Sequence, residues 1–450
     1  MDKKQQGLLT EGPILKSLTK LAMPIMASSF LSTVYSITDM AWIGLLGSKA
    51  VAGVGAAAMY LWLSQGLESL ARMGGQVHVA QCIGRKDREQ AGKYAHAAVW
   101  LSALFAVIYA VVCLIFKEPL LGFFKLGEAE TLADATVYFE ITCGLVIFSY
   151  LSRTLTGIYT AQGNSKIPFI ANLIGVLGNL ILDPVLILGI GPFPRLEVVG
   201  AALATVSSQA LTTIVLIWKL KKLSKEENVL RGVNCLKIPE KKYVKEVCIL
   251  GAPTAVQGTI YCAISMVLTR MISGFGAEAI AVQKVGGQIE SITWNAADGF
   301  AAALNAFIAQ NYGAKQMERV RKGYTATFWV TGLWGAFIMI FFLLFPTQIS
   351  MIFFHEEKAI ATSVGYLMIV GLSEAFMCVE LMTAGGLAGL GKTTVSSAIS
   401  VTLTALRIPL AMVLGSTALG VTGVWWALTI TSVMKGIAFY IAFKYYARKL

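Results

Sequence analysis

The sequence predicts an all-α polytopic membrane protein, with twelve transmembrane helices arranged as two parallel six-helix repeats. Three observations carry this. Of 450 residues, 56% are hydrophobic and only 14% charged, whereas soluble chains carry about 25% charged residues. Long apolar runs recur throughout, each supplying the roughly 20 residues needed to cross a hydrocarbon core. The chain also matches itself when displaced by 229 residues. Such a composition excludes a soluble enzyme, a nucleic-acid-binding domain and a disordered scaffold.

Apolar runs broken by charged or Gly/Pro punctuation place the first six helices near 15–45, 51–82, 95–116, 136–162, 168–190 and 198–220. The second six lie near 244–273, 279–311, 324–346, 359–390, 394–415 and 420–443. The expected organisation is an N-terminal lobe at 1–218, a basic connector at 219–243 and a C-terminal lobe at 244–450. The N-terminal stretch MDKKQQGLLTEGPILK lacks the short apolar core and cleavage site of a signal peptide, so the first apolar run reads as a retained helix.

The formal charge of +12 would suit a nucleic-acid partner, but its distribution points to the bilayer. One set of connections holds 26 Lys/Arg, including Lys3, Lys4, Lys225 and the rest of the run from Lys219 to Lys245. The opposite set holds five: Lys49, Lys117, Lys125, Arg195 and Lys358. The positive-inside rule then puts both termini in the cytoplasm. The expected location is the inner, or cell, membrane. Seven cysteines, at 82, 113, 143, 235, 248, 262 and 378, show no C-x-x-C spacing and read as packing residues.

The internal match is detailed. Pro24 meets Pro253, Gly47 meets Gly276, Ala80-Gln81 meets Ala309-Gln310, and Trp100 meets Trp329. After a one-residue change of offset, Gly157 meets Gly385 and Gly163 meets Gly391. Six crossings per half keep both repeats in the same orientation, related by an axis along the membrane normal. Two such bundles joined by a loose connector can rock about a central cleft, which is how secondary transporters alternate access.

Eight carboxylates fall inside expected spans: Asp39, Glu68, Glu140, Asp183, Glu290, Asp298, Glu374 and Glu380. Each needs a partner, a water-filled cavity or a proton. The sharpest cluster is in the first half. Helix 1 carries Tyr35, Thr38 and Asp39 beyond a Pro24 kink. Helix 5 carries Asn179 and Asp183 four residues apart, followed by Pro184, and helix 6 carries Thr205 and Gln209. Two carboxylates facing each other in low dielectric cannot both ionise cheaply. The cluster therefore reads as a proton or sodium site, or else as a polar network that only holds helices together.

In the second half Lys284, Gln288, Glu290 and Asp298 lie on helix 8, Glu374 and Glu380 on helix 10, and Arg407 on helix 11. These groups could pair internally, or one acid could hold a cationic substrate. The candidate cleft residues are Tyr35, Gln209, Gln257, Gln288, Glu290, Glu374 and Arg407. The stretch GLAGLGKT at 386–393 has the letters of a phosphate-binding loop. It ends a membrane helix instead of following a strand, so nucleotide binding is not expected. The histidines at 78, 96 and 355 form no metal-ligand spacing. No cofactor, no metal beyond a coupling Na+ and no enzymatic activity are expected.

These residues resemble the multidrug and toxic compound extrusion (MATE) family over essentially the whole chain. The resemblance rests on a proline then an aspartate in helix 1, N-L-I-L-D-P in helix 5, and G-A-A-L-A-T opening helix 6. The turns A-x-G-N-S and G-x-G-K-T ending helices 4 and 10 add to it. It implies a V-shaped pair of lobes and a monomeric antiporter that expels small organic cations in exchange for H+ or Na+. It further implies that Asp39, Asn179, Asp183 and Thr205 bind the coupling ion, with Pro24 and Pro253 as helix hinges. One departure stands out: some branches carry an acid in the middle of helix 7, where this chain reads QGTIYCAISM. The alternatives are a flippase of a lipid-linked saccharide, using Arg72, Arg153, Arg270, Lys284, Arg407 and Lys435, and a membrane transferase, whose D-D-x-x-D or H-x-x-x-D motif is missing.

Overall fold

A computed structural model describes residues 9–124, 129–223, 228–231 and 237–449. Lys3, Lys4, Lys125, Lys225, Cys235 and parts of the basic connector lie outside the described residues. The chain is built of helices, in order α1 (Ile14–Gly44), α2 (Ser48–Gly84), α3 (Arg88–Ile115), α4 (Lys117–Gly122), α5 (Ala129–Gly144) and α6 (Ile147–Ala161). There follow α7 (Lys166–Leu188), α8 (Glu197–Lys222), α9 (Lys241–Ser273), α10 (Ala277–Gly313), α11 (Met317–Leu344) and α12 (Pro346–Phe353). The last are α13 (Glu357–Gly371), α14 (Glu374–Gly389), α15 (Thr393–Ala405), α16 (Arg407–Gly415) and α17 (Val421–Arg448).

Among the described residues, nine helical segments are long and apolar enough to cross a membrane, and two bent pairs bring the number to eleven. The pairs are α5 with α6, bent by 44°, and α13 with α14, bent by 48°, each read from the sequence as one span. The twelfth expected span is α10, 37 residues long and carrying Glu278, Lys284, Glu290 and Asp298. Burial is inverted relative to a soluble protein. Val107, Val111, Ile115, Leu333, Phe337 and Phe341 are exposed, while Thr142, Thr154, Thr213, Thr327 and Thr331 are buried. Each of these threonines donates its hydroxyl to a carbonyl of its own or a neighbouring helix or, for Thr154, to Glu68, as polar groups within a bilayer must.

Two compact units form: one comprises Ala27–Ala255, the other Leu9–Met26 with Val256–Leu450. Thus α1 and α9 each pass from one unit to the other two residues beyond their internal proline, Pro24 and Pro253. In the first unit, α9 lies against α2 at Gly251, where any Cβ would strike the Leu70 backbone. The Tyr94 hydroxyl donates to Glu246 of the same helix. In the second unit, Leu18, Leu21, Phe300, Leu304, Phe307, Tyr324 and Phe443 form a core, with the last two rings stacked.

The duplication is written into the backbone. Gly47 and Gly276, which precede α2 and α10, have φ/ψ of 110°/168° and 107°/167°. Lys86 and Lys315, after the same helices, have φ of 63° and 59°. Gly163 and Gly391 have φ of 77° and 76°, in the left-handed region that closes a helix end. The 386–393 stretch is therefore a helix-to-helix turn with a close structural twin, and no strand precedes it. Gly391→Val should lower stability by about 1–2 kcal/mol, the cost of forcing an L side chain into that region, and Gly391→Asn by less. Lys392→Ala should leave transport unaltered and indifferent to ATP. Melting temperatures and an efflux assay with and without ATP check both.

Candidate functional site

The eight acids expected in spans meet different fates. Glu68 pairs with Arg72 (3.4 Å) and accepts from Thr154. Glu140 pairs with Lys117, and Glu380 with Lys435 (2.8 Å). Glu290 accepts from Tyr366, and Asp298 is exposed. Glu374 is buried with Thr293 beside it. Among the described residues, Asp39 and Asp183 each hold a buried carboxylate oxygen with no hydrogen-bond partner, and a buried polar atom left unpaired is costly.

Asp39 and Asp183 belong to one site inside the first unit. Asp183 is 0% exposed and Asn179 2%. Their spacing on α7 puts them on one face, and Asn179 Nδ2 donates to Asp183 Oδ1 (3.1 Å). Pro184 supplies no N–H, so the carbonyl one turn back lacks its helical donor. On α8, Thr205 is buried and accepts from the Tyr35 hydroxyl of α1 (3.2 Å). Tyr138 of α5 also engages Thr205 and lies within electrostatic reach of both aspartates. Among the described residues, Asp39 Oδ1 and Asp183 Oδ2 have no hydrogen-bond partner, and no basic group acts on either carboxylate. Two acids, an amide oxygen and hydroxyls thus share one buried cluster. It can take protons on the carboxylates or a small cation among the oxygens. Four residues read from the sequence, Asp39, Asn179, Asp183 and Thr205, are brought together here with Tyr35. Tyr138 was missed, because a tyrosine in an apolar run carries no spacing signal. Gln209, one turn beyond Thr205, is half-buried.

The other candidates lie in the second unit. Gln257 Oε1 accepts from Ser397 (3.1 Å), and Gln288 is exposed. Arg407 donates from Nε to Thr431 Oγ1 and from a terminal nitrogen to Ser432 Oγ, each at 3.0 Å. Glu290 and Glu374 lie within electrostatic reach of each other. The six cysteines among the described residues are all free. No three His, Cys, Asp or Glu side chains among the described residues converge as a metal site would require.

Fold and site together define a duplicated polytopic membrane protein whose first unit encloses a pair of uncompensated acids. A family model described as MatE matches residues 24–185 and 253–413, and its two segments begin at the paired prolines, at the displacement read from the sequence. The chain belongs to the MatE family, as its resemblance implied. It is 28% identical over 419 residues to the probable multidrug resistance protein NorM of Thermotoga maritima, covering 92% of this chain and 88% of that one. It is 26% identical over 447 residues to a FAD transporter of Shewanella oneidensis, covering 97% and 96%. Among solved structures, the outward-facing conformation of a multidrug resistance MATE family transporter superimposes with a TM-score of 0.90 at 21% identity, over 100% of this chain and 99% of that one.

Proposed function

We propose that the protein is a secondary active efflux transporter of the cell membrane, with both termini cytoplasmic, acting as a monomer. It exports organic, mostly cationic compounds in exchange for H+ or Na+ by alternating access. One observation carries this reading: the buried, uncompensated pair Asp39 and Asp183, with Asn179 and Thr205 supplying neutral oxygens. A charge at mid-bilayer costs about 2.5–3.5 kcal/mol on insertion scales. Binding an ion here relieves part of that cost, and it shifts the conformational equilibrium by as much as the ion's affinities for the two states differ. Ion and substrate would favour opposite states through their differential affinities, and α1 and α9 would flex at Pro24 and Pro253. Tyr35 and Gln209 in the first unit, and Gln257 and Gln288 in the second, are assigned to substrate contact.

The names of the relatives support drug export, and that of the FAD transporter extends the range to a large organic anion. Uncompensated acids favour cations. The flippase reading is not favoured, because Arg72, Arg407 and Lys435 are each engaged by side chains of their own unit. Proteoliposomes loaded with a fluorescent lipophilic cation test the proposal, under a pH gradient and a sodium gradient imposed separately. Efflux driven by one gradient is expected and names the ion. No efflux under either, or competition by FAD but by no organic cation, would overturn it.

A further inference from the structure

Helix α6 of the first unit differs from the helices that face lipid. α3 and α7 expose large apolar side chains, among them Val107, Val111, Leu177 and Ile181. Among the described residues of α6, no large hydrophobic side chain is exposed. The helix instead carries a polar stripe: Ser149, Ser152, Arg153 and Thr156 recur at the three- and four-residue spacing of one face. Arg153 is its exposed member. It stands eight residues before Ala161, the end of α6, which is about 12 Å of helix. A charge turned to lipid at that depth is costly, so this stripe faces water.

The neighbouring face of α6 docks on α2. Tyr150 donates its hydroxyl to the Ser64 carbonyl (2.9 Å), and Thr154 donates to Glu68 Oε1 (3.4 Å). One turn further, Gly157 meets the stem of Arg72, where a Cβ would sit 3.0 Å from Cγ. Glu68 and Arg72 therefore border the polar stripe. The two pair at 3.4 Å, with side chains 1% and 33% exposed. Arg153 lies within electrostatic reach of both. Two guanidinium groups against one carboxylate leave one positive charge in excess. It falls on Arg153, which among the described residues has no ion pair, since Glu68 is taken by Arg72.

We propose that Arg153 binds a carboxylate of the transported compound. A guanidinium stays charged at any working pH, and its planar fork of N–H donors matches the two oxygens of a carboxylate. Ser149 and Thr156 set hydroxyls on the same face. Glu68 acts through Arg72: it holds that second guanidinium aside and sets the net charge that Arg153 presents. The assignment rests on the efflux reading and narrows its substrates to include zwitterions, compounds that carry an anionic group beside a cationic one. The site stands on α2 and α6, apart from the Asp39/Asp183 cluster on α1 and α7.

Two forms of one rhodamine dye test it: the free carboxylic acid, a zwitterion at neutral pH, and its ethyl ester, a cation that differs only at that group. Equilibrium binding to the full chain in lipid nanodiscs is read by fluorescence polarisation, with empty nanodiscs subtracted and no gradient imposed. Arg153→Ala should weaken binding of the acid about tenfold or more, the effect of losing a hydrogen bond between charged groups. The ester should bind as before or more tightly. Arg153→Lys keeps the charge without the fork and should fall between. Glu68→Gln removes the competing carboxylate and should tighten the acid, a gain that misfolding cannot produce. Affinity for the acid left unaltered by both Arg153→Ala and Glu68→Gln would overturn the inference, as would equal losses of both dyes in the two Arg153 variants. A wild type that binds the ester but not the acid sinks this inference alone, whereas one that binds neither sinks the efflux reading with it.

Discussion

Asp183→Asn and Asp39→Asn are each expected to reduce gradient-driven efflux at least tenfold, to the level of empty liposomes, without loss of folded protein. Asparagine preserves the shape of the side chain and one acceptor, and removes only the group that can bind and release a proton or hold a cation. Asp183 is the more telling position, being fully buried and fixed by Asn179 at 3.1 Å. Stability should move in the opposite sense to activity. A buried carboxylate without a counter-charge burdens the fold, and replacing it with a neutral isostere is neutral or stabilising. The expected pattern is therefore lost transport with an equal or higher melting temperature. Retained gradient-driven transport in both variants would sink the mechanism. A fall in melting temperature alongside lost activity would instead mark the cluster as a structural network.

The second large effect concerns Lys435 and Glu380, which are 4% and 8% exposed and 2.8 Å apart. Lys435→Met leaves Glu380 buried and alone, and breaking such a pair costs about 3–5 kcal/mol. Glu380→Gln leaves Lys435 within reach of Arg407, a like charge, and should cost about as much. The double variant Lys435→Met/Glu380→Gln should recover most of the loss, because no uncompensated charge then remains. Apparent melting temperatures of the four proteins complete the cycle. If the double variant is as unstable as either single one, packing and not charge holds α14 to α17 at this point.

Much of the architecture was legible because the bilayer demands long apolar runs and because the two halves keep their prolines and glycines in step. The bends after Gly144 and Gly371 were not. Apolar character continues through Leu145-Val146 and Leu372, and no proline announces either bend. The pairing of Asn179 with Asp183 was readable, since a four-residue spacing on a helix fixes a shared face. The partners that come from other helices were not, because Tyr138, Tyr366 and Thr293 look like ordinary members of apolar segments. Arg407 shows the same limit. Its charge stood out, but its holders Thr431 and Ser432 come from a separate helix, α17.

The crossing of α1 between units bears on how the protein is made. Leu9 donates its N–H to Gln310 Oε1 (2.8 Å) and its carbonyl accepts from Asn311, while Arg319 reaches the carbonyls of Leu9 and Gly12. These partners follow Leu9 by 301 to 310 residues. At about 5–20 residues per second of synthesis, Leu9 waits roughly 15–60 s before its partners exist. During that interval residues 9–26 lack the partners they bind in the second unit, and the first unit lacks residues 241–255 until they too emerge. Neither unit can finish alone: residues 9–26 reach their places only after residues 310–319 have been made, and a ribosome that stalls before them leaves this stretch unplaced.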